Sequence, residues 1–162
     1  MNNTYRYPSP LGTILLTAQK GALTGARFVD GPADADPSSD PVLSEAAAWL
    51  ARCFAGGDPG PVPPCAPAGT PFQMRVWNAL RTVGYGETCS YGELCARIGL
   101  TSRHARAVGA AVGKNPLVLF LPCHRIVGAS GALTGYAFGL DRKAALLAAE
   151  HAGSSCDPAR SV

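Results

Sequence analysis

In the segment 117–127, Leu-Val-Leu-Phe-Leu-Pro-Cys-His-Arg-Ile-Val, two short apolar runs bracket Pro122, Cys123, His124 and Arg125. The first run is too short to cross a membrane and suits a core strand or the tight approach to a site. Pro122 lacks a backbone N–H and ends a hydrogen-bonded ladder, which predicts that Cys123 faces a cavity and not a sheet neighbour. A thiol attacks as its thiolate; its free pKa is about 8.5, and an adjacent imidazole or a helix N-terminus is the usual way to lower it. His124 and Arg125 supply such a field. A Cys-His dipeptide taken alone is usually a buried structural thiol, since cysteine is among the most buried residue types. Side chains at adjacent strand positions also point apart, so contact between Cys123 and His124 needs a turn or a bridging water.

The elements that must position this pair lie mainly beyond residue 71. Thr70-Pro71-Phe72 offers an N-cap followed by Pro in the first turn, and Phe72, Val76, Leu80 and Val83 predict a helix that ends at Gly84-Tyr85-Gly86. Ser90-Tyr91-Gly92-Glu93 has the pattern of a capping box and opens a short helix through Ile98, broken by Gly99. Thr101 or Ser102 caps a third helix running to about Gly113, so that helix, turn and helix form a helix-turn-helix. The third helix is built almost wholly of small residues, among them Ala105, Ala107 and Gly109, with Arg103, His104, Arg106 and Lys114 as its long ones. Small residues let a backbone approach a groove closely while the few basic side chains reach phosphates or bases. The same composition also suits a close helix–helix interface. Asp141 to His151 reads as a solvated C-terminal helix, and 154–162 as a polar tail.

The N-terminal part reads differently. Tyr5–Tyr7, Thr13–Thr17 and Ala22–Val29 look like strands, the first two flanking a Ser9-Pro10-Leu11-Gly12 turn. After a polar loop over 30–41, Leu43, Ala46, Ala47, Leu50 and Phe54 fall on one helical face. Residues 56–71 hold six prolines and four glycines and predict a linker. The expectation is therefore an α/β (α+β) fold. A three-stranded sheet with a helix at 1–55 is joined through 56–71 to a mainly helical helix-turn-helix and active-site domain at 72–153.

At 162 residues with 47% hydrophobic content the chain suffices for a packed core. No apolar signal core opens the sequence and no window approaches a membrane span, so a cytoplasmic location is expected. Cysteines 53, 65, 89, 95, 123 and 156 are scattered, without Cys-x-x-Cys or paired histidines. No metal site and no disulfide framework are expected from them. Residues 1–71 carry four Lys/Arg against six Asp/Glu, a net −2, whereas residues 72–150 carry nine against four, a net +5. A basic segment beside a mildly acidic one points to a polyanionic partner for the second.

Phe72-Gln73 with Val76-Trp77, Tyr85-Gly86-Glu87, Ser90-Tyr91-Gly92-Glu93, Ala105-Arg106-Ala107-Val108-Gly109, Asn115-Pro116, Pro122-Cys123-His124-Arg125, and Gly135-Tyr136 with Gly139 and Lys143 occur in one order. Together with the Ser-Pro-Leu-Gly turn they resemble the O6-alkylguanine-DNA alkyltransferases, or methylated-DNA–protein-cysteine methyltransferases. The resemblance implies irreversible, stoichiometric transfer of the alkyl group from O6-alkylguanine, and from O4-alkylthymine, to a cysteine after base flipping. It implies no cofactor and no metal. The partner would be double-stranded DNA with an alkylated guanine, not a membrane, and the protein a monomer in solution that could bind DNA cooperatively.

By motif position Cys123 would be the acceptor, His124 a base acting through water, and Glu150 the carboxylate that orients the imidazole. Asn115 would tie the hinge turn to the cysteine loop, and Tyr91 would protonate the departing guanine. Arg106 would fill the space left by the flipped nucleotide, with Arg103, Ser102, Ala105, Ala107, Gly109 and Lys114 also at the DNA. Tyr136, Ala137, Phe138 and Val127 would line the base pocket. Phe138 and Gly84 depart from the pattern, standing where glycine and proline are common. A non-catalytic binder of alkyl lesions would keep the pocket and the helix but lack the acceptor thiol, which Cys123 supplies. A helix-turn-helix regulator needs base-reading side chains that the third helix largely lacks, and a cysteine hydrolase needs an oxyanion hole for which no motif is apparent.

Overall fold

The computed structural model describes residues 3–155, grouped in two compact units. Among these residues, one unit comprises 3–68, the segment Pro116–Phe120 and 152–155; the other comprises Gly69–Asn115 and Leu121–His151.

The first unit is an antiparallel sheet of β1 (Asn3–Ser9), β2 (Gly12–Gln19) and β3 (Ala22–Val29) in that order, with α1 (Pro41–Ala55) packed on it. Strand alternation puts Ile14, Leu16 and Ala18 on the buried face. In β3 the buried residues Leu23 and Ala26 are three apart, because a bulge opposite Thr17 and Ala18 shifts the register and flips the alternation. The β2–β3 turn is made by Lys20 (φ 52°) and Gly21 (φ 77°), both left-handed as a two-residue hairpin of this twist requires. Asp40 caps α1 by accepting from the N–H groups of Val42 and Leu43 at 2.9 and 3.1 Å.

The Pro/Gly-rich stretch expected as a linker forms no regular element, yet it is fastened along its length. Trp49 Nε1 donates to Gly60 O, the Leu23 N–H donates to Pro64 O, and the Ala66 N–H donates to Leu23 O. Residues 116–118 lie further along the same edge, where Ala26 N–H donates to Pro116 O and Val118 N–H to Ala26 O. Both stretches run parallel to β3 and satisfy backbone groups that would otherwise form an open edge. Leu117–Leu121, expected as a core strand or a tight approach, is thus no continuous strand but holds isolated bridge positions at Leu117, Val118 and Leu121, and Leu119 turns with φ 74° while only 5% exposed. Phe120 stacks on Trp49 with ring centroids 4.7 Å apart.

The second unit is built on α2 (Pro71–Leu80), α3 (Tyr91–Arg97), α4 (Ala105–Gly113) and the part of α5 (Leu140–Ser155) that ends at His151. Two of the three expected caps are formed. Thr70 and Gln73 make a complete capping box at α2, and Ser90 and Glu93 another at α3. Helix α2 ends at Leu80, earlier than the Gly84 stop read from the sequence, because the Thr82 hydroxyl bonds back to Ala79 O and closes the last turn. Helix α4 also differs at its start. Thr101 makes no side-chain cap, and a one-turn 3-10 helix over Ser102–His104 precedes Ala105. Trp77 Nε1 donates to Ala111 O at 2.9 Å, fixing α2 against α4, while Arg75 caps Ile98 O and Arg97 holds Thr82. The short strands β4 (Cys89–Ser90) and β5 (Ile126–Val127) pair in parallel. Helix α5 runs past Gly153 to Ser155, so the expected polar tail starts inside a helix and otherwise lies outside the described residues.

Candidate active site

Three elements meet around Cys123. The turn that Pro122 imposes is a single 3-10 turn, Cys123–Arg125, which lets neighbouring side chains diverge from strand alternation. Cys123 is 7% exposed and opens on a cavity of about 340 Å³. Helix α4 forms one wall through Gly109, Val112 and Gly113, and the loop Gly135–Phe138 forms another. Tyr91, the first residue of α3, and Asn115 complete the lining.

His124 is 1% exposed, and its Nε2 lies 2.6 Å from Glu150 Oε1. Arg125 Nε and Nη2 reach the same carboxylate at 2.8–3.1 Å, and its Nη1 donates to Val83 O at 2.7 Å. Burial raises the Glu150 pKa, but hydrogen bonds from His124 and Arg125 and their charges outweigh it and hold the group at about 2. A carboxylate that stays ionised can only accept. Nε2 therefore carries the imidazole proton in the neutral ring, and Nδ1 is left as the basic lone pair. Nδ1 is buried and has no hydrogen-bond partner among the described residues.

Burial pushes the Cys123 thiol above its ordinary value, against a hydrogen bond from Asn115 and the charges of Lys143. Asn115 Nδ2 also donates to Leu121 O at 2.7 Å, clamping the ends of the 115–121 excursion two residues before the cysteine. Lys143 did not stand out in the sequence except as part of a motif. It is fully buried, and its Nζ donates to Thr134 O at 2.8 Å and Gly135 O at 3.3 Å, so it holds the loop that carries Tyr136. Burial lowers its pKa and Cys123 raises it. Lys143 and Glu150 stand seven residues apart, two helical turns, so both fall on one stripe of α5. That spacing was the signal available for pairing them.

Helix α4 presents three faces. At about 100° per residue, Val108 and Ala111 point to the core, and Gly109 and Gly113 point to the cavity. Arg106, Ala107, Ala110 and Lys114 remain exposed, as do Ser102 and Arg103 just before the helix, while Ala105 and Gly109 are half-buried. Of the residues expected in the pocket wall, Tyr136, Ala137 and Phe138 line the cavity, with the Phe138 ring edge-on to Tyr136 at 5.9 Å. Val127 does not. The chain leaves the 3-10 turn as β5, and Val127 is taken into the ladder opposite Ser90.

The family description "6-O-methylguanine DNA methyltransferase, DNA binding domain" matches residues 71–152. A methylated-DNA–protein-cysteine methyltransferase of Methanosarcina acetivorans is 42% identical over 149 residues, covering 89% of this chain and 95% of that protein. One from Mycolicibacterium paratuberculosis is 44% identical over 146 residues, covering 88% of each. Among solved structures, the O6-methylguanine methyltransferase of Mycobacterium tuberculosis superposes with a TM-score of 0.82 at 38% identity, covering 97% of both chains. A Mycobacterium tuberculosis structure in complex with DNA matches at 0.77 and 40% identity, covering 93% of this chain and 92% of that one.

The Glu150 cluster makes a prediction about acid stability. The folded value of about 2 lies below the unfolded 4.5, so the contribution of this carboxylate is complete above pH 4.5 and is lost as pH falls toward 2. Urea midpoints measured from about pH 6 to pH 2 should fall more steeply for the wild type than for Glu150→Gln, by on the order of 2–3 kcal/mol over the range. Parallel curves would mean that the carboxylate is not held as an ion.

Proposed function

The chain belongs to the methylated-DNA–protein-cysteine methyltransferases, DNA-repair proteins that move an alkyl group from DNA to a protein cysteine, and from that premise we propose that Cys123 accepts the group from O6-alkylguanine, and from O4-alkylthymine, in a single irreversible turnover. The observation that carries the reading is a buried thiol lining a cavity walled by α4, with the next residue in the chain, His124, held at 2.6 Å by an ionised carboxylate. Sγ attacks the alkyl carbon, the carbon–O6 bond breaks, and the electron pair leaves with the base. Attack at sp³ carbon needs a strong, soft nucleophile, which a thiolate is. Since burial holds the thiol protonated, its proton must leave as attack begins, and His124 Nδ1 receives it through a water. Glu150 stays ionised throughout and fixes the ring. Tyr91 supplies a proton to the departing base. The product is a thioether, which water does not cleave, so each molecule reacts once.

A cysteine only 7% exposed cannot reach a base inside a duplex. The base must therefore be turned out of the stack, at a cost of a few kcal/mol. Arg106, exposed on α4 next to the cavity face, fills the vacated position; Arg103, Lys114 and Ser102 meet the backbone. Ala105, Ala107 and Gly109 keep the helix slim enough to approach. The +5 charge of residues 72–150 makes binding strongly salt-dependent and largely indifferent to sequence. Phe138 takes up room on the alkyl side of the cavity and restricts it to small groups.

Intact-protein mass after incubation with methylated duplex should show one added methyl per molecule, mapped to Cys123 and absent in Cys123→Ala, which still binds DNA. Turnover, or modification at Cys89 or Cys95, would sink the assignment. Arg106→Ala should slow repair of duplex by about 10-fold or more while leaving reaction with free O6-methylguanine base nearly unchanged, since only the duplex requires flipping. Equal losses on both substrates would place Arg106 in the fold. For Phe138, transfer of benzyl should be much slower than transfer of methyl, and Phe138→Gly should raise the benzyl rate selectively. A wild type that takes benzyl as fast as its glycine variant would remove the ring from the alkyl site.

A further inference from the structure

Tyr136 lines the cavity beside Cys123, and its ring is set edge-on against Phe138. Its hydroxyl oxygen is buried and makes no hydrogen bond among the described residues. Buried hydroxyls are nearly always paired, because leaving one unmade forfeits its hydration with no return. An unpaired donor in the wall of a substrate cavity is one that the substrate completes. Tyr136 and Cys123 act on each other electrostatically, yet the hydroxyl does not bond to the sulfur, so the space near both is where the reacting group must enter.

We propose that the Tyr136 hydroxyl donates a hydrogen bond to the O6 oxygen of the bound base and stabilises the charge that gathers there as the carbon–oxygen bond breaks. The inference rests on the reading that Cys123 takes the alkyl group from a base held in this cavity. In an in-line displacement the attacking sulfur, the alkyl carbon and O6 are collinear. O6 therefore lies one bond beyond the carbon that Cys123 attacks. The bond from Sγ to carbon forms, the carbon–O6 pair passes to the base, and the phenol keeps its own proton while its hydrogen bond to O6 shortens. Burial and the nearby Cys123 hold the phenol protonated well above the ordinary tyrosine range, so it is a donor at every working pH. A fixed donor aimed at a developing oxyanion gains strength in a water-poor site.

Tyr136→Phe keeps the ring and removes only the donor. Single-turnover transfer from free O6-methylguanine base should fall about 10- to 100-fold. Direct methylation of Cys123 by methyl iodide, whose leaving group is not an oxygen, should stay within about 2-fold, because nothing in the thiol's own activation has changed. The melting temperature should be equal to or above that of the wild type, since an unpaired buried hydroxyl has been deleted. An unchanged O6-methylguanine rate overturns the proposal. Equal loss on both methyl donors also overturns it and assigns the hydroxyl to the thiol instead, and a lowered melting temperature shows a structural partner. If methyl iodide modifies wild-type Cys123 but O6-methylguanine never does, the alkyl-acceptor reading itself falls, a failure separate from that of the hydroxyl.

Discussion

The second unit depends on one carboxylate. Glu150 is 12% exposed, and an isolated ion at that depth would be strongly destabilising. It is accommodated because Arg125 meets it with two nitrogens and His124 with a third, so both carboxylate oxygens accept charge-assisted hydrogen bonds. Arg125 continues outward to Val83 O and lies over the Tyr85 ring at 5.8 Å. Helix α5, the 3-10 turn and the chain after α2 are thereby fixed at a common point. Removing one partner would leave a buried charge uncompensated, so the imidazole's orientation and the integrity of the fold cannot be varied separately.

The two basic neighbours of Glu150 meet it differently. Arg125 brings a guanidinium to the carboxylate through two nitrogens, whereas His124 meets it with a single ring nitrogen. The carboxylate is thus strong enough to orient the ring but already compensated in charge. The ring's free face, Nδ1, points away from the pair and is where a proton can be received. Lys143 plays a parallel part on the other side, pinning the Gly135–Phe138 loop through two backbone carbonyls.

Signals confined to a few adjacent residues were readable before any coordinates. The Thr70–Gln73 and Ser90–Glu93 boxes, the three strands and the Cys123-His124 pair each state themselves within four residues or by simple alternation. Glu150 was recoverable only from the family pattern, since a lone carboxylate on a C-terminal helix looks solvated and its partners stand 25 and 26 positions away. Lys143 was hidden for the same reason. Val127 was misplaced because apolar type says that a residue is buried but not on which side of a two-residue strand. The 3-10 start of α4 and the fastening of residues 56–68 escaped because backbone bonds to distant irregular chain leave no periodic trace.

The segment Pro116–Phe120 belongs by its hydrogen bonds to the sheet unit, although it is flanked on both sides by the residues of the other. Leu117, Val118, Leu119 and Phe120 are each at most 5% exposed, and their burial comes with β3 and Trp49. The compositional break near residue 69 therefore does not by itself bound the sheet unit, which also takes in Pro116–Phe120. A chain beginning at that break would carry four large apolar residues without the β3 edge and the Trp49 ring on which they lie, immediately upstream of Cys123. The sheet unit, which contributes no residue to the cavity lining, thus holds in its own hydrogen bonds a segment that ends three residues before Cys123.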